Sequence, residues 1–356
     1  MAVIFSEVPA DFGSVFGELI YMVEGVEAGQ TATVELYLAD GEQPVGAKVV
    51  RGGEPARVNM AACLRRCIAP EPVAAERTGF VTDGGRCAMA ALLCGDRISA
   101  VRSFTGAVRQ LTPYEVLTAL PLERTIGWEE RDEVSLCVPD CSLTCTWTTE
   151  GVERQFALEA YVAQRGIVTL AVVMADLRQQ LEAAGVAVGE VTAVTLSVTV
   201  AGEEKLRVRY RIVQRVAGSV RLCWFNRSGG CDCHTFAPAV GERRTVTKAW
   251  YAGSGGRDAQ VTACRQEVTL TSGYLPEQWL QGVAARRCGA GAGDGRGAGD
   301  GVADDRGTRC RDVRRAGEEN AGVSMFLNGR WNSISTISGL TWMTGRWLAS
   351  PSRWPR

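Results

Sequence analysis

Alternation of apolar and polar residues with a period of two constrains the fold of this chain most. From 194 to 200, every second residue is Val or Leu and the residues between them are Thr or Ser. After a turn at 201–204, apolar residues alternate with Arg207, Arg209 and Arg211. One buried face and one wet face produce such a pattern in a strand, so the segment predicts an antiparallel hairpin. We interpret the arginine row as its wet face, with a surface for nucleic acid or another anionic partner as the alternative.

Similar patterns recur along the chain and predict a mainly β fold of two or three antiparallel β-sandwich or barrel-like modules with few short helices. Apolar residues alternate over 34–38, a turn follows at Asp40-Gly41, and a second strand includes 48–50. Asp176 is a candidate N-cap for a helix over 177–184 that stops at Gly185. A second short helix is predicted over 276–281, where proline occupies the first turn.

Turn and linker positions divide the chain into predicted domains. We expect an N-terminal β domain over 1–112, a second β domain over 113–216 and a C-terminal β module over 217–281. The remaining residues, 282–356, are expected to be a disordered or out-of-frame tail, which would leave the C-terminal module incomplete.

The composition changes abruptly after residue 281. Residues 282–322 contain 11 glycines in 41 positions and no Leu, Ile, Phe, Tyr, Trp, Met or Lys. Such a segment buries too little apolar surface to offset its chain entropy, which predicts disorder. Translation of GC-rich DNA in a shifted frame produces the same bias toward Ala, Gly, Arg and Asp. A true flexible tail and a frameshift product both remain open.

Charge and hydropathy limit the classes of partner. The net charge of -1 gives no reason to expect nucleic-acid or membrane-surface binding through bulk electrostatics. The longest apolar stretch, 166–174, is less than half the length of a membrane span. The first nine residues lack the basic and apolar regions of a signal peptide, so we expect synthesis in the cytoplasm, with no signal peptide and no transmembrane segment.

The 13 cysteines have no C-x-x-C spacing, and we interpret them as reduced, mostly buried side chains. One group offers zinc ligands by residue type, namely Cys223, Cys231, Cys233 and His234. Strand alternation places Cys231 and Cys233 on one face and His234 on the other, which disfavours a four-ligand site. No cofactor is therefore expected.

Catalytic templates do not assemble from the sequence. His234 is the only histidine, and the G-x-S-x-G pattern of a nucleophile elbow does not occur. The acidic cluster at 129–133 is interpreted as a solvated loop, although a carboxylate pair for glycoside hydrolysis can form from any two acids that folding brings together. No catalytic residue is assigned.

The segment around His234 forms a recognisable structural motif. Gly229 and Gly230 allow a positive φ at a tight turn, and Asn226 and Asp232 can bond the backbone of that turn. Two aromatic residues, Trp224 and Phe236, are expected to pack across the resulting hairpin.

This motif, followed by a basic β segment and by Tyr-Leu-Pro-Glu-Gln-Trp-Leu at 274–280, resembles uncharacterised proteins of phages and prophages of gut Bacteroidales. Those proteins are taken to be tail- or baseplate-associated, so the resemblance implies a non-enzymatic structural protein that assembles with itself or with other virion proteins. From the net charge and hydropathy, no nucleic-acid or membrane partner is expected. The alternatives are a carbohydrate- or surface-binding β-sandwich module and a metal-dependent or glycoside hydrolase.

Overall fold

The computed structural model describes residues 3–82 and 85–238, together with the backbone of three further strands. Strands dominate these residues, which confirms the predicted mainly β fold. In chain order the strands are β1 Ile4–Glu7, β2 Gly13–Ser14, β3 Ile20–Glu24, β4 Thr31–Leu38, β5 Pro44–Arg51, β6 Ala56–Asn59, β7 Gly79–Thr82, β8 Cys87–Cys94, β9 Arg97–Ile98, β10 Arg102–Thr105, β11 Glu123–Ile126, β12 Arg131–Val138, β13 Cys141–Glu150, β14 Gln155–Ala157, β15 Tyr161–Ala163, β16 Gly166–Val173, β17 Ala193–Val200, β18 Glu203–Ile212, β19 Val220–Phe225, β20 Cys231–Phe236, β21 Gly241–Gly253, β22 Gly256–Thr271 and β23 Gly322–Gly329. The helices are α1 Ala61–Cys67, α2 Met174–Ala183 and a single 3-10 turn, Val188–Glu190.

Two sheets enclose the N-terminal core. One has the strand order β1-β3-β6, and the other has the order β2-β10-β8-β4-β5, with β9 also paired to β8. The hairpin predicted around Asp40-Gly41 is confirmed, because β4 and β5 pair antiparallel on either side of that turn. Alternate side chains of both sheets meet in one cluster with Leu64 of α1, a helix that the sequence analysis did not predict.

Two more sheets enclose a second core. The larger has the order β11-β18-β17-β13-β14, with β15 also paired to β13, and the smaller has the order β12-β16-β7. The hairpin predicted over 194–212 is confirmed as β17 and β18, in which Leu196 lies opposite Val208 and Val198 lies opposite Leu206. Two strand pairs, β2 with β10 and β11 with β18, run parallel within otherwise antiparallel sheets.

The arginine row of β18 forms ion pairs with acidic residues at the ends of neighbouring strands. The Arg209 guanidinium donates to both carboxylate oxygens of Glu150, at 2.7 and 2.5 Å, and Arg211 lies 2.5 Å from Glu123. These side chains are partly exposed, with Arg211 61% accessible. The interpretation of this row as the wet face of a sheet is confirmed.

Strand β16 lies at the centre of the second core. All eight of its residues are buried, and its even-numbered residues pack with those of β12, β17 and β18 in one apolar cluster. On the opposite face, Ile167 packs with Phe12 and Leu117, and Thr169 bonds Ser135 at 2.8 Å. The apolar stretch that is too short for a membrane is therefore a strand buried on both faces.

Helix α2 ends where predicted but begins earlier. Gly185 has a φ of +71°, and the N–H of Val186 donates to the carbonyl of Leu181 at 3.0 Å, which closes the C-terminus. The predicted N-cap at Asp176 is wrong, because the helix already begins at Met174. The Asp176 carboxylate instead accepts the backbone N–H of Thr78 at 2.9 Å.

The described residues form two compact units. Among the described residues, one unit contains those up to Gln214 together with Cys223–Cys233, and the other contains Arg215–Leu222, those within His234–Leu280, and Gly322–Gly329. The first unit holds two main cores, and the second of them also takes in β7 and Phe80, which precede the boundary predicted at 112/113. That boundary and the one predicted at 216/217 stay predictions. In the second unit, β21, β22 and β23 form an antiparallel sheet.

Several predictions fall on residues outside the described ones. The predicted helix over 276–281 is among them, and so is the predicted tail apart from Gly322–Gly329, which the structure describes as a strand paired with β22. Within the described ranges, no helix combines the length and the apolarity that a membrane crossing requires.

Replacing Val168 with Ala tests the central position of β16. This side chain is 1% exposed, so its truncation should lower the free energy of unfolding by about 2 kcal/mol through lost burial and a residual cavity. The matched control is Val162→Ala on β15, a valine that is 80% exposed and should cost less than about 0.5 kcal/mol. Urea denaturation measures both changes, and equal losses of stability would contradict the burial of β16 at the centre of the second core.

Candidate functional site

The predicted motif forms a tight turn between β19 and β20, which pair as a two-stranded sheet. We call residues 226–230 the docked turn. The N–H of Asn226 donates to the carbonyl of Gly230 at 2.9 Å, and the Asn226 side-chain oxygen accepts the N–H of Ser228 at 2.8 Å. Gly229 has a φ of +83°, the left-handed conformation that glycine adopts without strain. The predicted turn and the contribution of Asn226 to it are confirmed.

The docked turn lies directly against the segment 117–119. A Cβ atom on Gly230 would lie 1.7 Å from the carbonyl oxygen of Leu117, so only glycine permits this approach. The same carbonyl accepts the side-chain amide of Asn226 at 3.1 Å. A backbone hydrogen bond from Val108 to Arg227, 2.9 Å long, holds the other side of the turn.

Asp232 joins the docked turn to this segment through a buried carboxylate. It accepts hydrogen bonds from the N–H of Ala119 at 3.0 Å, from the side-chain amide of Asn226 at 2.8 Å and from the hydroxyl of Thr118. Burial raises the pKa of Asp232 above its ordinary value, while Arg124 and these donors act in the opposite direction. The expectation that Asp232 bonds the backbone of the turn is wrong, because its carboxylate bonds the segment 117–119 and the side chain of Asn226.

Arg124 places a positive charge beside this carboxylate. Its guanidinium lies 2.8 Å from Asp132 and 3.6 Å from Asp232, and it also donates to Thr118 at 2.6 Å. The side chain of Arg124 is 2% exposed, and both carboxylates are fully buried. The pKa of Arg124 is raised because Asp132 and other negative groups outweigh the effect of burial.

A second arginine neutralises the adjacent acid of β12. Arg86 lies 2.5 Å from Glu133, and its side chain has no exposed surface. It also donates to the hydroxyl of Ser135 at 2.7 Å, and its guanidinium lies 5.2 Å from the centre of the Phe225 ring. Glu133 also accepts the N–H of Val73 at 2.8 Å. We call Arg86, Arg124, Asp132, Glu133 and Asp232 the buried charge cluster.

The interpretation of residues 129–133 as a solvated loop is wrong for most of its acids. Glu130, Asp132 and Glu133 are 5% exposed or less, and the last two lie in β12. The carboxylates of Asp132 and Glu133 can be buried because Arg124, eight residues earlier, neutralises the first and Arg86, forty-seven residues earlier, neutralises the second.

The three cysteines of the zinc candidate lie together, whereas His234 does not join them. The sulfur atoms of Cys223, Cys231 and Cys233 are within 4.8 Å of one another. Among the described residues, no other group of three or more His, Cys, Asp or Glu side chains lies close enough together to hold a metal ion. The ring of His234 packs edge-on against the ring of Phe236, with 4.9 Å between the ring centres. The four-ligand set is therefore reduced to three sulfurs, which we call the sulfur cluster.

Two of these sulfurs are joined covalently. Cys223 and Cys233 form a disulfide across the hairpin, which corrects the expectation that all cysteines are reduced. Cys223 is exposed and Cys231 remains a buried free thiol. Burial, followed by the Glu133 carboxylate, raises the pKa of Cys231 well above its ordinary value, and Arg86 acts in the opposite direction.

The other motif residues and cysteines lie as follows. Trp224 is half-buried and Phe236 is buried, and their contact across the hairpin stays a prediction. Free cysteines that fill core positions, as expected, are Cys94, Cys137, Cys145 and Cys231.

Sequence reasoning missed the arginines and acids to which the motif binds. Two signals were available in the alternation itself. Arg124 is two residues before Ile126, and Asp132 is two residues before Val134. In a strand, residues two apart point to the same face, so each of these charges lies on an apolar face. An isolated charge on such a face predicts an opposite charge nearby.

Chemically, this arrangement holds segments together. Each buried carboxylate of the cluster lies beside an arginine. The carboxylates and the arginines also form hydrogen bonds with backbone and side-chain groups of other segments. The exposed disulfide sulfur of Cys223 is the point at which an external reductant can react.

Comparison of the sequence with protein-family models finds no match, and comparison with curated proteins finds no match either.

Replacing Gly230 with Ala tests the docking of the turn. The added Cβ would collide with the Leu117 carbonyl, so the turn must move away, at a cost of about 3 kcal/mol or more in unfolding free energy. Gly189→Ala is the control, because its Cβ would have no neighbour within 4 Å. Thermal and urea unfolding measure both, and an unchanged stability of Gly230→Ala would refute the close approach.

Replacing Arg86 with Met tests the buried charge cluster. Glu133 would keep a buried charge without its partner, so the free energy of unfolding should fall by about 3–5 kcal/mol. Arg57→Met removes an ion pair with Glu18 whose side chains are 61% and 66% exposed, and it should cost less than about 1 kcal/mol. Comparable losses for the two variants, measured by urea denaturation, would show that Arg86 is not buried with its carboxylate.

Proposed function

We propose that this chain is a non-enzymatic structural component of a phage or prophage virion and that it assembles in the tail or baseplate. Its partners in this proposal are other copies of itself or other virion proteins. After synthesis in the cytoplasm, the protein would become part of the particle.

The proposal depends mainly on the structural role of the motif that resembles tail-associated proteins. Asn226, Gly230 and Asp232 bind the docked turn to the segment 117–119 through hydrogen bonds and close packing. These residues therefore maintain the arrangement of one β module. A motif that is shared for this reason fits a building block whose shape must be reproducible.

The distribution of charge supports the same function. The buried charge cluster pairs its arginines and acids with each other, and Arg209 and Arg211 of β18 pair with Glu150 and Glu123. These charges therefore bind parts of this chain to one another, as a structural function requires.

The open edges of the sheets give such a building block surfaces for assembly. Among the described strands, β5 is the last of its sheet, and Val49 on this strand is 69% exposed. Backbone groups on an edge strand can pair with a strand of another chain.

Particle fractionation tests the proposal. We expect peptides of this protein to sediment with purified virions from an induced culture, in several copies per particle, when the fractions are analysed by quantitative mass spectrometry. A host cytoplasmic enzyme serves as the control for carry-over. Recovery of the protein only from the soluble fraction would contradict the proposal.

Deletion of the gene separates assembly from surface binding. Loss of an assembly component should give particles without complete tails in electron micrographs. Complete tailed particles that fail to adsorb would contradict a structural function and favour a surface-binding module.

A further inference from the structure

The sulfur cluster has the composition and spacing of a site for a soft metal ion. Cys231 and Cys233 are two residues apart in β20 and so point to the same side, and Cys223 reaches them from β19. All three sulfurs lie within 4.8 Å of one another. A tetrahedral zinc with Zn–S bonds of about 2.3 Å needs sulfurs about 3.8 Å apart, which small side-chain movements can reach.

We propose that Cys223, Cys231 and Cys233 bind one soft cation, such as Zn²⁺, when the Cys223–Cys233 disulfide is reduced. Thiolate sulfur selects soft cations over Mg²⁺ or Ca²⁺. Three protein ligands leave the fourth zinc position to water or to an external ligand. The site goes beyond the proposed structural function and does not depend on it.

The disulfide and the metal compete for the same atoms. Reduction by an external dithiol transfers two electrons and two protons to the sulfurs of Cys223 and Cys233, and the dithiol leaves as its own disulfide. Each thiol that then binds the cation releases one proton to solvent. Oxidation therefore removes two of the three ligands and should release the metal.

The position of the three side chains suits this exchange. Cys223 is exposed, so a reductant can attack its sulfur from solvent, whereas Cys231 and Cys233 are buried. On the buried side, Arg86 and Glu133 form an ion pair 2.5 Å long beside Cys231. The site thus has one side open to solvent and another closed by charges that already neutralise each other.

Zinc content measured in both redox states tests the proposal. The full-length protein is reduced with dithiothreitol, freed of reductant under inert gas, loaded with Zn²⁺ and passed through gel filtration before elemental analysis. The reduced protein should retain about one zinc per chain more than the air-oxidised protein, as one three-sulfur site requires. Equal zinc content in the two states, or no zinc in either, would overturn the proposal.

Variants assign the site. Cys231→Ser should lose this additional zinc while still forming the disulfide, and Cys223→Ser, at an exposed position with little risk to folding, should lose both. Cys94→Ser removes a buried free cysteine elsewhere and should keep the wild-type zinc content. Retention of the additional zinc by both Cys231→Ser and Cys223→Ser would overturn the assignment.

Peptide mapping gives a readout that needs no variant. Trypsin cleaves after Arg221, Arg227 and Arg243, so Cys223 lies in one peptide and Cys231 and Cys233 lie together in the next. Oxidised protein should yield the two peptides linked through Cys233, with Cys231 free to be alkylated after denaturation. In the reduced protein, zinc should slow the alkylation of Cys223 under native conditions, and an unchanged rate would contradict its ligation.

Discussion

Two arginine side chains, Arg86 and Arg124, are buried among the sheets of the first unit, and each has a carboxylate within 2.8 Å. Removing such charges from water costs several kcal/mol per ion, and only a close partner with further hydrogen bonds offsets that cost. The partners are consecutive residues of β12, Asp132 and Glu133. Because they point to opposite faces of this strand, they bind different segments on each side of it.

The remaining architecture follows from this constraint. On one face of β12, Arg86 bonds both Glu133 and Ser135. Since Arg86 directly precedes β8, these bonds connect the start of β8 with the sheet β12-β16-β7. On the other side, Arg124 joins Asp132 to the carboxylate of Asp232, which follows the docked turn. A residue of the β19–β20 hairpin is thereby bound to a segment more than a hundred positions earlier. We expect these ion pairs to contribute to the choice of which strands lie together, because a buried charge that loses its partner is strongly destabilising.

Local patterns predicted much of the fold. The hairpin of β17 and β18, the one around Asp40-Gly41 and the glycine that ends α2 were all correct, because each depends on residues close together in the chain. Errors arose where distant residues decide the outcome. Glu133 was interpreted as part of a solvated loop because the arginine that neutralises it lies forty-seven residues earlier, at Arg86. The start of α2 was misplaced because Asp176 bonds Thr78, nearly a hundred residues away.

The candidate site was predicted in part for the same reason. Gly229, with its positive φ, and Asn226 formed the expected turn, since turn chemistry is local, whereas Gly230 permits the close approach to Leu117. What the turn binds was not predictable, because Leu117, Thr118 and Ala119 lie in an irregular segment without a recognisable pattern. The disulfide was also missed, since strand alternation groups Cys231 with Cys233 but does not show that Cys223 lies opposite them.

Amide hydrogen exchange of the segment 114–120 tests the account most directly. This segment has no regular secondary structure, yet Leu117 donates to the carbonyl of Ser135 in β12, and Ala119 donates to the Asp232 carboxylate. If the docked turn and the buried charge cluster hold the first unit together, these amides should exchange as slowly as those of β12. Exchange as fast as that of the exposed turn at 40–43 would contradict the account.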